Sequence, residues 1–100
     1  MPGTDIQLDE KIKVVISEPK KWKVILLNDD STPMEFVINM LIEIFRHTNE
    51  TAEDIMLQVH ETGSGIAGVY SFEIAEAKAV EATNLARTNS HPLQIKLEEE

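Results

Sequence analysis

The stretch "LLNDDSTPMEF", from Leu26 to Phe36, places an amide and two carboxylates, Asn28, Asp29 and Asp30, between an apolar run and a helix start. With Thr32 and the more distant His60 they form the polar constellation of the chain that invites chemistry. Its plainest reading is a turn whose side chains bond their own backbone. His60 alone reads as a helix-surface or satisfied core histidine, and His47 and His91 invite nothing better. A metal site from Asp29, Asp30 and His60 lacks the local spacing that such sites show. An Asp could pair with His60 as acid and base, yet no nucleophile elbow, phosphate loop or Cys accompanies them, and Ser31, Ser64 and Ser71 have no motif around them. Met34 and Met56 are core filler on spacing, although Met also lines adaptable recognition pockets. The residues alone stop at a binding module with an acidic rim.

These residues need elements to hold them. "WKVILL", Trp22 to Leu27, is a short β-rich run ended by the Asn-Asp-Asp turn. Thr32 as N-cap, Pro33 at the first helical position and Glu35 three residues past the cap predict a helix to about Arg46. That helix is apolar on most sides and should be largely buried. A second helix follows Thr48 or Asn49, carries Ala52, Ile55, Met56 and Val59 at helical spacing, and ends at Gly63 in the left-handed conformation. "GIAGVYS" reads as a strand, Ser71 caps a third, alanine-rich helix to about Thr88, and "LQIKL" alternates as a half-buried strand does. The closing "EEE" should fray. Residues 1–20 read as a flexible N-terminal arm, with "KIKVVIS" as an alternative edge strand, and residues 21–100 as one domain. The order β-α-α-β-α-β gives a small two-layer α/β (α+β) fold, a three-stranded antiparallel sheet packed on three helices.

Composition narrows the function. The chain has 100 residues, no Cys and a net charge of −9, enough for one modest core held by packing rather than disulfides or thiolate-bound metal. Between residues 24 and 77 there are ten acidic residues and one basic, Arg46. That excludes a basic stripe for nucleic acid and favours a cationic partner group such as an amine. The first residues are acidic rather than a basic leader, and no apolar run approaches about 18 residues, so neither a secretory signal nor a membrane span is expected. The expected compartment is the cytoplasm, or an organelle stroma should the chain be a processed form, and a monomer without cofactor or metal is the default.

The pieces "KVILLNDDSTPMEFV", "AEDIMLQVHETGSGIAGVY", "EIAEAKA" and "NSHPLQIKLE", spanning most of residues 22 to 98 in order, resemble the ClpS family of adaptors, which deliver N-end-rule substrates to AAA+ Clp proteases. The resemblance implies the fold read above and a function: binding a polypeptide whose free first residue is bulky and hydrophobic, Leu, Phe, Tyr or Trp, for degradation by ClpP. It implies that Asn28 and His60 accept hydrogen bonds from the α-ammonium while Asp29 supplies opposing charge, and that Asp30 and Thr32 contact the peptide backbone or shape the turn. It places Met34, Val37, Met56, Val59 and Leu93 around an apolar pocket, with Met34 as a gate against β-branched first residues. Glu73 and Lys78 would dock on a ClpA- or ClpC-type unfoldase, and the arm before Trp22 would reach toward its pore. Ala67 stands where the family commonly has Cys, and Ser31 where it has an aromatic residue; Ser31 shrinks the shoulder of the pocket, so the preference among the four first residues is open. Two readings compete: a non-catalytic interaction domain with the shape of the ribosomal stalk protein's C-terminal domain and no use for amino termini, and a small hydrolase using Asp29 or Asp30 with His60.

Overall fold

In a computed structural model the described residues are 19–100. Most of the expected arm, and the alternative strand at "KIKVVIS", therefore lie outside the described residues.

Strand β1 (Trp22–Leu27) is the centre of the domain. Antiparallel β2 (Ser64–Tyr70) pairs along one side of it and antiparallel β3 (Gln94–Glu99) along the other, in the order β2-β1-β3. Val24 and Leu26, both fully buried, point to the helices, as the strand period of two requires. Lys23, Ile25 and Leu27 lie on the opposite face with Lys96, Glu98 and Ile66. The register slips between Val24 and Ile25, where Ala67 of β2 is the extra residue of a bulge. The ring of His47 donates from Nε2 to the Ala67 carbonyl, so the bulge is tied to the turn between the first two helices.

Helix α1 (Met34–Glu43) and helix α2 (Asn49–Thr62) pack on each other, and α2 also packs on β2. Helix α3 (Phe72–Thr88) contacts all three strands. Its fully buried residues are Ala75, Ala82 and Ala86, which helical geometry puts on one face, so this helix does press close to the sheet as its alanine content predicts. Leu26, Met40, Leu41, Leu93, Val24, Val37 and Val59 are the largest fully enclosed side chains, and they join both layers into one core.

Three boundaries differ from expectation. Thr32 is not the N-cap of α1. Pro33 takes that place with extended backbone, and no side chain caps the helix; the Thr32 hydroxyl donates instead to the Asp29 carboxylate within the preceding turn. The same helix stops at Glu43 rather than Arg46: Arg46 adopts a left-handed conformation, with φ 63°, and the turn brings the His47 amide onto the Leu41 carbonyl. The terminal glutamates do not all fray. Glu98 and Glu99 pair with Lys23 and Trp22, and the Glu100 amide donates to the Lys21 carbonyl.

The remaining ends follow the sequence in position, although Ser71, at the start of α3, makes no side-chain cap hydrogen bond. Thr48 caps α2 by accepting from the Thr51 amide at 3.2 Å, and Gly63 closes it with φ 94°, a conformation glycine adopts without strain. At the end of α3, Ser90 takes φ 62° and the His91 amide returns to the Ala86 carbonyl.

Candidate functional site

The polar turn after β1 is built around Asp29. Its Oδ1 accepts from the Ser31 and Thr32 amides at 2.8 and 2.7 Å, and its Oδ2 accepts from the Thr32 hydroxyl at 2.7 Å. Both oxygens are thus engaged within the turn, the plainest of the readings for an Asn-Asp-Asp cluster. Burial pushes the Asp29 pKa up, but the Thr32 hydroxyl, the Thr32 and Ser31 amides and the nearby His91 outweigh it and bring the pKa below its ordinary 3.8. Asn28 and Asp30, on either side, are exposed.

The backbone joins this turn to the end of α2. The Asn28 amide donates to the Gly63 carbonyl at 2.9 Å, three residues past His60, whose ring is exposed on the last turn. Asn28 and His60 therefore project from two elements that are hydrogen-bonded to each other. Among the described residues no three His, Asp or Glu side chains come together as a metal centre would need.

The five apolar candidates divide. Val37, Met56, Val59 and Leu93 belong to one buried cluster and are 1–4% exposed, whereas Met34, one turn before Val37 on the same side of α1, is 40% exposed. The arrangement is an accessible thioether over an enclosed apolar group, beside a solvated set of acceptors.

Two residues that the sequence did not single out complete the neighbourhood. His91 stacks edge-on against Phe36 of α1, with ring centroids 4.6 Å apart, and is close enough to Asp29 to favour its charge. Arg87 donates from Nη1 to the His91 and Leu93 carbonyls at 2.9 and 2.7 Å, holding the turn from which Leu93 enters the core. A long cation in the last turn of a helix is a known partner for stray carbonyls, so the signal for Arg87 was present in the sequence. His91 meets Phe36 only through the tertiary fold, and no local pattern marks it.

Glu73 and Lys78 lie apart from this turn. Glu73 is exposed in the first turn of α3, flanked by the exposed apolar Phe72 and Ile74. Lys78 is half-buried: its Nζ donates to the Ile44 carbonyl at 2.7 Å and sits 5.9 and 5.4 Å from the ring centroids of Phe45 and Tyr70. No helix among the described residues is long and apolar enough to cross a membrane.

Residues 17–96 match the family model described as ATP-dependent Clp protease adaptor protein ClpS. The chain is 44% identical over 98 residues to the ATP-dependent Clp protease adapter protein ClpS of Hyphomonas neptunium, covering 98% of this chain and 83% of that one. To the ClpS of Bdellovibrio bacteriovorus it is 52% identical over 85 residues, covering 85% and 75%. Among solved structures it is similar to Agrobacterium tumefaciens ClpS2 bound to L-phenylalaninamide, with a TM-score of 0.80 and 43% identity over 83% of this chain and 100% of that one.

Proposed function

The chain belongs to the ClpS family of adaptors of the ATP-dependent Clp protease, and from that premise we propose that it grips the free amino-terminal residue of substrate proteins when that residue is bulky and hydrophobic. The observation that carries the reading is the pairing of exposed acceptors with an enclosed apolar cluster on adjoining elements. L-phenylalaninamide, the ligand of the similar Agrobacterium protein, has the matching chemistry: a free amine, a benzyl group, and a carboxamide where a second residue would continue.

An α-amino group with an ordinary pKa of about 7.7–8.0 is mostly protonated at neutral pH and arrives as a charged donor. Asn28 Oδ1 and a ring nitrogen of His60 accept hydrogen bonds from it. Asp29 acts at longer range, since its oxygens already hold the turn, and it adds negative charge to a rim where Asp30 is exposed. Thr32 and Asp30 then border the peptide backbone. The first side chain enters past Met34 among Val37, Met56, Val59 and Leu93. Because those walls are nearly closed, this requires the flexible thioethers of Met34 and Met56 to move aside.

Burying a Leu or Phe side chain stabilises by roughly 1.5–3 kcal/mol, and each hydrogen bond to the ammonium adds about 1.5–3 kcal/mol. After the cost of association a micromolar grip, about −8 kcal/mol, is expected, which suits an adaptor that must release its cargo. Delivery runs to a ClpA- or ClpC-type unfoldase working with ClpP. Glu73 presents its carboxylate to that partner, and Lys78 contributes while staying on Ile44, since an ammonium has more donors than one carbonyl uses. In this division residues 21–100 bind and residues 1–20 serve as the arm, the protein acting as a monomer and without catalysis, in the cytoplasm.

Fluorescence anisotropy of decapeptides that differ only at the first residue, each with a free and an acetylated amine, tests the reading. Binding is expected for free Leu, Phe, Tyr and Trp, lost on acetylation and on His60→Ala, with Met34→Ala admitting Ile and Val. Indifference to the first residue and to acetylation would overturn it and leave α3 as the surface to probe for partners.

A further inference from the structure

Strand β2 runs so close to α2 that one residue has no room for a side chain. Gly65, buried and paired with Leu26, lies where an added Cβ would stand 2.7 Å from Cγ2 of Val59 and 3.4 Å from the Ile55 carbonyl oxygen. The requirement is one of space, because Gly65 is not among the residues with positive φ. Gly68, three residues on, differs: the nearest atoms an added Cβ there would meet are all at the phenol end of Tyr70, the far end of a side chain that can swing away. Val59 has no such freedom, since a β-branched side chain in a helix is held to essentially one rotamer. Relief at position 65 must therefore come from widening the gap between α2 and β2.

We infer that Gly65 sets the depth of the first-residue pocket by letting Val59 recede against the strand, a role that rests on the amino-terminal reading above. Val59 is enclosed between β2 on one side and the cluster containing Val37, Met56 and Leu93 on the other. Pushed off the strand, it moves into the volume that the ligand's side chain must occupy. The last turn of α2 carries His60 and leads to Gly63, whose carbonyl holds the Asn28 amide, so the ammonium acceptors are linked to the same displacement. Gly65 touches no ligand; it is a positioning residue that makes pocket size a property of strand–helix spacing.

The test measures affinities for free-amine peptides beginning with Leu, Phe and Trp in the full chain and in Gly65→Ala, Gly68→Ala, Val59→Ala and Val59→Ala/Gly65→Ala. A single methyl group at a tight hydrophobic pocket discriminates by about tenfold or more, so Gly65→Ala is expected to weaken Trp about tenfold relative to Leu, with Phe between them. Gly68→Ala should leave the Trp-to-Leu ratio unchanged. Val59→Ala should shift the ratio toward Trp, and adding Ala at 65 in that background should alter it no further, because nothing remains to be pushed. Should Gly65→Ala alone fail to fold, the last two variants still decide. A uniform loss across the three peptides, an unmoved ratio in Gly65→Ala, or an unmoved ratio in Val59→Ala overturns the inference. Absence of any first-residue preference in the unmodified chain is a different result: it removes the amino-terminal reading, and the role of Gly65 falls with it.

Discussion

The turn between β1 and α1 and the turn between α3 and β3 flank the same enclosed cluster, and each is held by one charged side chain of opposite sign. In the first, a carboxylate gathers two amides and a hydroxyl ahead of a helix; in the second, a guanidinium gathers two carbonyls behind one. Neither set belongs to a helix: the amides precede Met34 and the carbonyls follow Thr88, so each side chain orders a connecting turn rather than capping a helix. They differ in what can disturb them. A carboxylate can be discharged by acid within an accessible range, whereas a guanidinium keeps its charge throughout. The site thus hangs on one clasp that titrates and one that does not.

The largest effect is expected from Asp29→Ala, which removes three hydrogen bonds at once. A loss of about 2 kcal/mol in urea denaturation is predicted, within the range for losing hydrogen bonds to a charged group. Arg87→Met keeps the apolar stem but frees two carbonyls. It should cost about 1–2 kcal/mol and, unlike Asp29→Ala, loosen chiefly His91 and Leu93, visible as faster amide exchange in β3 than in α1. Equal losses of protection in both elements would show that the two turns are not independent.

Acid sharpens the comparison. The Asp29 pKa lies below its ordinary 3.8 in the folded chain, so the unfolded chain binds the proton more readily. The contribution of Asp29 is complete above about pH 3.8 and fades as pH falls through the folded value. The stability difference between the unmodified chain and Asp29→Asn should accordingly shrink below that pH, while the difference to Arg87→Met stays constant. The smallest effect belongs to the exposed pair Lys20–Glu99, 3.0 Å apart at the far end of β1: Lys20→Ala should change stability by less than about 0.5 kcal/mol, a loss that added salt removes.

Elements marked by strong local chemistry were legible in the sequence. Gly63 ends α2, the third helix runs to Thr88, and alternation in "LQIKL" identifies β3, because each depends on a residue's own conformational preference or on periodicity. Thr32 shows where this fails. Its pattern is that of an N-cap, but the helix starts one residue later and Thr32 joins the turn that Asp29 gathers, a geometry that spacing does not specify. Nothing local to Lys78 marks a tertiary partner, yet folding places the Ile44 carbonyl and two aromatic rings beneath it. Likewise the contact of His91 with Phe36, and the crowding of Gly65 by Val59, arise between elements that only tertiary packing brings together.

The two described ends of the chain enter the sheet side by side, Trp22 opposite Glu99, while the Asn28 turn lies at the other end of β1, about 17–20 Å away for a six-residue strand. Tension applied between those two ends would peel β1 from β3 one pair at a time, like a zipper. Tension between the N-terminal end and a load held at the turn runs along β1 instead, in shear, and strains the ladders to β2 and β3 together. The domain is mechanically anisotropic, yielding in one direction and stiff in the other, and the stiff direction is the one that joins the start of β1 to the site.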